Sequence, residues 1–320
     1  MSALSDTLFI VALLGYLVAM MLYATAYVIK GASRQAAAPA EELALVGAGS
    51  AAPPVSPVEV VAPPAASDEP QARWMTAAVV SMWLAVAVHL ATAATRGIAA
   101  GRMPWGNMYE FILSVTVVGG MVWLAVVTAK PSLRQVGLFV ALVEALLLGV
   151  AGLVYAEVGP LMPALQSTWY IVHVSSVIIA SGLFMVGFVP SALFLIRSGY
   201  DQGKTSFPYT LGRRVPIAAN LERLSFRLHA FAFPIWTFGV AAGAVWAEAA
   251  WGRYWGWDPK EVWAFISWVV YAGFLHARAT PSVKRTTVAW IAVLGFATML
   301  MNLFGVNIFF TGLHSYAGVE

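Results

Sequence analysis

Tryptophan and histidine are the residues of this chain most able to do chemistry, and both are unevenly placed. Six of the 13 tryptophans fall within residues 246–268. Five of them punctuate the stretch Trp246-Ala-Glu-Ala-Ala-Trp251-Gly-Arg-Tyr254-Trp255-Gly-Trp257-Asp258-Pro259-Lys260-Glu261-Val-Trp263. Gly252 and Gly256 let the backbone turn tightly, so several indoles can share one surface. Such a surface suits a flat, apolar, polarizable ligand. An aromatic belt at the lipid headgroups is the alternative. It accounts for Trp268 and for one or two indoles per helix end, but poorly for a cluster this dense. Asp258, Pro259 and Glu261 also read as a helix start, with Asp at N-cap, Pro at N1 and Glu at N3. Asp258 is therefore a cap as readily as a ligand contact.

The five histidines are His89, His173, His229, His276 and His314. Imidazole within apolar runs is costly and invites a functional reading. His173 and His314 flank the Trp-rich stretch, and paired imidazoles are common axial ligands of haem iron. Taken singly, each reads more readily as a hydrogen-bonded residue at a membrane interface than as a ligand. His89, His229 and His276 lie deeper in apolar runs, as does Glu144, and each fits a packed, satisfied side chain. Cysteine is absent, which excludes disulfides and thiolate metal sites. Any metal must be held by His, carboxylate, Met or backbone.

Hydrophobic residues make up 60% of the 320, charged residues 10%, and the mean hydropathy is +0.78. Soluble domains carry about 25% charged residues, and a membrane helix needs roughly 20 apolar ones. The fold class is thus an all-α integral membrane protein with spans expected at 7–29, 75–95, 109–129, 135–156, 169–196, 230–249, 262–279 and 286–305. Residues 1–30 read as a signal anchor, not a cleavable signal, because no basic residue precedes the apolar run. Residues 31–72, rich in Ala and Pro and without aromatics, are expected to be a disordered cytoplasmic linker. Residues 73–320 then form a seven-helix body, with Pro190 kinking or ending the fifth span. Of the 18 Lys and Arg, fourteen fall in 30–74, 130–134, 197–229 and 278–285, and four elsewhere. The positive-inside rule puts those segments in the cytoplasm. Both termini, His173, His314 and the Trp loop then share the outer face. The positive charge is explained by these loops, and nucleic acid is not an expected partner.

The segment from Gly243 to Trp263 resembles the WWD signature of haem-handling proteins, and the chain is similar to the CcsA/CcsB/ResC family of cytochrome c biogenesis (System II). Pro104-Trp-Gly-Asn107-Met-Tyr109-Glu110, Leu165 through His173, Leu275-His276-Ala-Arg278 and the late His314 carry the resemblance further, over residues 75–320. It implies a haem-handling subunit of a cytochrome c synthase in the plasma membrane, with its site facing outward. His173 and His314 would ligate haem iron there, and Trp246, Trp251, Trp255, Trp257, Asp258 and Trp263 would hold the porphyrin. His276 would belong to a deeper membrane haem site completed by a ResB-like partner protein. The cargo implied is haem b, held transiently. The other partners implied are an apocytochrome c bearing CxxCH and an extracytoplasmic thioredoxin-like reductant. Arg102, Arg253 and Lys260 are candidates to neutralise the propionates. Three rivals stand beside this reading: a System I haem-delivery subunit, a b-type electron-transfer cytochrome using His229 and His276, and a secondary transporter.

Overall fold

A chain this apolar has to satisfy its backbone hydrogen bonds within each membrane segment, and helices do so without a partner. The computed structural model describes residues 1–47 and 69–314. Among these, eight helices are long and apolar enough to cross a membrane. They are α1 (Ser2–Gly47), α2 (Glu69–Ala100), α3 (Met108–Ala129), α4 (Gly137–Leu153), α5 (Thr168–Asp201), α6 (Ala218–Trp251), α7 (Pro259–Ala279) and α8 (Arg285–Leu300). A π-helical turn, Met301–Gly305, and a last α-turn, Val306–Phe309, extend α8. No strand occurs among the described residues, so the all-α, eight-span expectation holds.

The expected linker falls partly outside the described residues. Helical backbone continues in α1 to Gly47 and resumes at Glu69, and 48–68 lie between. At Pro190, where a kink or an end is expected, α5 does not end. It runs unbroken from Thr168 to Asp201 with Pro190 buried inside. Apolar surroundings and tight neighbours make one missing N–H tolerable there.

Lipid offers helices little hydrophobic gain from association, so close packing at small residues does the work. On α1 the buried positions include Ala12, Tyr16, Ala19, Tyr23 and Ala26. Their alternating four- and three-residue spacing makes a single seam, which packs α1 onto α2 and α4. α3 and α5 form the centre, with 61% and 67% of their most apolar stretches buried, against 22% for α7. α7 is therefore peripheral and α5 is the post on which the site is built. The up-and-down order brings the starts of α1, α3, α5 and α7 to the same end as the ends of α2, α4, α6 and α8.

Candidate functional site

At that end Ser167 caps α5 by accepting from the Trp169 amide at 3.2 Å, and His173 follows in the second turn. Opposite it, α6 carries Gly239 and Gly243 one turn apart. A Cβ on Gly243 would lie 2.6 Å from His173 Nδ1, so glycine is what allows the imidazole to rest against the α6 backbone. There His173 Nδ1 donates to the Gly239 carbonyl at 2.7 Å. A carbonyl can only accept, so Nδ1 carries the proton and Nε2 is the basic nitrogen of the neutral ring. The ring stacks on Trp246, with centroids 5.6 Å apart and planes at 16°. Trp246 is itself buried and donates its indole N–H to Ala164 O at 2.9 Å.

α6 ends at Trp251 because Gly252 takes a left-handed conformation, φ 69°, which suits glycine. The loop then reaches Asp258, where both sequence readings are realised in one side chain. As the cap of α7, Asp258 accepts from the Lys260 amide at 3.1 Å, while Glu261 accepts from the Asp258 and Gly256 amides at 3.0 and 2.8 Å. The same carboxylate accepts from the Leu313 amide at 2.7 Å and from His314 Nδ1 at 2.8 Å. Asp258 thus ties the late segment of the chain to the Trp loop and fixes the tautomer of His314, as carboxylates behind metal-ligating histidines do. Burial raises the Asp258 carboxyl, but the hydrogen bond and charge of His314, with the Leu313 and Lys260 amides, outweigh it and hold it below the usual aspartate range. His314 meets Trp246 and Trp251 edge-on, at 5.7 and 5.0 Å. Trp246 is therefore the common neighbour of both imidazoles.

The facing wall is held by Glu110, buried at the start of α3. Its carboxylate accepts from the Gly106 amide at 2.7 Å, Arg102 Nη1 at 2.7 Å and Arg96 Nε at 3.1 Å. Arg96 also donates to Ala156 O, which joins the ends of α2 and α4. The segment so clamped presents Trp105, whose carbonyl accepts from Tyr170 OH at 2.5 Å. Asn107 caps α3, accepting from the Glu110 amide at 2.9 Å.

These walls enclose one apolar cavity, lined at its mouth by His173, His314, Trp246, Trp251, Trp255 and Trp105. It continues down α5 past Ser181 to Met185, about 18 Å along the helix axis at 1.5 Å per residue. Two imidazoles of fixed tautomer beside indole walls can ligate the metal of a flat apolar macrocycle, so the residues present fit a haem.

Not every candidate residue lines the cavity. Trp257, at φ 60° and 67% exposed, packs edge-on against Trp255 at the surface. Trp263 also lies outside the lining, as does His276, exposed on α7 near the opposite end of the bundle. His229 is buried, its Nδ1 donating to Ser225 O at 2.8 Å, with its ring against Tyr271 and Phe274 of α7. At 3.6 residues per turn His276 projects about 140° away from Tyr271 and about 160° from Phe274. The facing His229–His276 pair that an electron-transfer cytochrome would need is therefore not formed. His89 lies in the core, with Nδ1 3.1 Å from Tyr16 OH. Glu144 is buried elsewhere in the bundle. Residues missed by the sequence reading include Tyr170, Tyr254 and the α8 wall around Asn302. The Gly239-x-x-x-Gly243 spacing was the available signal for the α5–α6 contact.

Fold and site together define a multi-pass helical membrane protein with an aromatic, histidine-flanked cavity at one end. Residues 105–314 match the family described as Cytochrome C assembly protein. The Cytochrome c biogenesis protein CcsA of Guillardia theta is 35% identical over 240 residues, covering 69% of this chain and 79% of that protein. The CcsA of Gloeobacter violaceus is 34% identical over 277 residues, covering 69% and 80%. The solved structure titled Cytochrome c Heme Lyase CcmF shares the fold, with a TM-score of 0.57 at 18% identity over 95% of this chain and 46% of that one. The chain belongs to the CcsA family of cytochrome c assembly proteins.

Proposed function

We propose that this chain is the haem-handling subunit of a membrane cytochrome c synthase, holding haem at the outer face for attachment to an apocytochrome. The observation that carries it is the meeting of His173 on α5 and His314, at the end of the matched region, on the rim of one cavity around Trp246. The protein contributes ligation, orientation and exclusion of side reactions, and haem supplies the reactive vinyl groups. Each CxxCH thiol adds across a vinyl group: sulfur bonds one carbon, the thiol proton reaches the other, and the double bond becomes single. No oxidant enters that step. The cysteines must arrive as thiols, which calls for an extracytoplasmic reductant of the thioredoxin type.

The cargo in this reading is haem b in the plasma membrane, with both termini and the cavity outside. The excess of Lys and Arg in segments at the opposite end, including 197–229, supports that orientation. His276 supports a ResB-like partner, because an exposed imidazole on peripheral α7 can meet a helix from another chain.

The test is the absorption spectrum of the full chain purified in detergent, alone and with a ResB-like protein, for wild type, His173→Ala and His314→Ala. Six-coordinate haem in wild type, lost or loosened in each variant and restored by imidazole, is expected. Unchanged spectra in both variants would remove the outer site from consideration.

A further inference from the structure

The cavity is apolar, yet one ammonium lines it. Lys260, in the first turn of α7, reaches the wall formed by the π-helical turn Met301–Gly305 and donates to Asn302 O at 3.4 Å. An ammonium offers three donors, and this long contact is its only hydrogen bond among the described residues. Two carboxylates lie near it, Asp258 and Glu261, the second also in the cavity lining. Asp258 holds His314 and the Leu313 and Lys260 amides, and Glu261 holds the Gly256 and Asp258 amides. None of them comes within 4.0 Å of the Lys260 ammonium, whereas Arg102, on the other wall, is spent on Glu110. No Arg lines the cavity among the described residues. A charge left so poorly paired beside apolar walls is costly unless a ligand completes it. π-Helical turns also recur at functional sites.

We propose that Lys260 is the carboxylate subsite of the cavity, receiving a propionate of the haem ligated at His173 and His314. The inference rests on the haem-holding function proposed above and adds which edge of the macrocycle meets α7. The bound molecule is then an anion with an apolar body, oriented by one charge-assisted hydrogen bond at the α7–α8 wall. Its propionate edge is anchored inside the cavity, on the side of Asn302.

The experiment titrates the full chain in detergent with haem and, separately, with haem dimethyl ester, whose carboxylates are masked. Wild type, Lys260→Met, Lys260→Arg, His173→Ala and His314→Ala are compared. A charge-assisted hydrogen bond corresponds to about 10- to 100-fold in affinity. Lys260→Met should lose that factor for haem and keep wild-type affinity for the ester, and Lys260→Arg should retain haem binding. Wild type alone should prefer haem to its ester by a similar factor, a comparison that does not depend on any variant folding. The proposal is overturned if Lys260→Met binds haem as wild type does, or loses haem and ester equally. Haem and ester binding that ignores both histidine variants would instead defeat the parent reading, whatever Lys260 does.

Discussion

Replacing Asp258 by Asn tests the joint between loop and ligand. The carboxylate takes three hydrogen bonds: Lys260 N–H and His314 Nδ1–H on Oδ1, and Leu313 N–H on Oδ2. Asparagine has one acceptor oxygen and one donor amide, so it cannot serve both sets. With its oxygen at the Oδ1 position, its NH2 faces the Leu313 N–H, donor against donor. With its oxygen at Oδ2, its NH2 faces His314 Nδ1 and drives the ring to the Nε2–H tautomer, which has no lone pair at Nε2 for iron. Either way a charge-assisted bond is lost, about 1.5–3 kcal/mol, and outer partners of metal-bound histidines carry about 10- to 100-fold of affinity. Titration of haem followed by absorption should show a loss of that size, with Asp258→Ala at least as weak. The acid limb gives a second reading. The Asp258 carboxyl is depressed, so its tie contributes stability above the unfolded aspartate value of about 3.9 and is lost as pH falls through the lower folded value. Near-ultraviolet dichroism of the Trp loop should therefore hold from neutral pH to about 4 and fade only below. Wild-type haem affinity in Asp258→Asn, with unchanged coordination, would refute the reasoning.

Gly243→Ala places a methyl 2.6 Å from His173 Nδ1, so the ring must leave Gly239 O or α5 and α6 must separate. Overpacking of this kind costs about 1–3 kcal/mol, and thermal unfolding in detergent together with an altered haem spectrum should record both effects. Glu110→Ala leaves buried Arg96 with only the distant Asp6 carboxylate, 4.0 Å away, a loss of about 3–5 kcal/mol. A variant unfolding at the wild-type temperature would show that Glu110 is not the clamp described.

Much of the site was legible from residue types. Eight spans, an all-helical fold and the pairing of His173 and His314 with a Trp loop follow from hydropathy and spacing, because each span must satisfy its own backbone and side-chain period is local. The Asp258-Pro259-Lys260-Glu261 helix start was equally local, and it formed as read. Only the tertiary structure decided which candidates meet. Trp257 and Trp263 share the motif with Trp255 but not the cavity, because the loop turns at φ 60° and the helix rotates them away. Asp258 acquired its second role through contacts 55 and 56 residues away in sequence, and no local pattern encodes such contacts. Pro190 read as a kink or an end because propensity is local, and α5 continues through it because packing on both sides offsets one missing N–H. Depth and direction around a helix axis are fixed by neighbours. The sequence alone therefore named His173 and His314 as candidates, and the bundle brought both to one cavity and chose its walls.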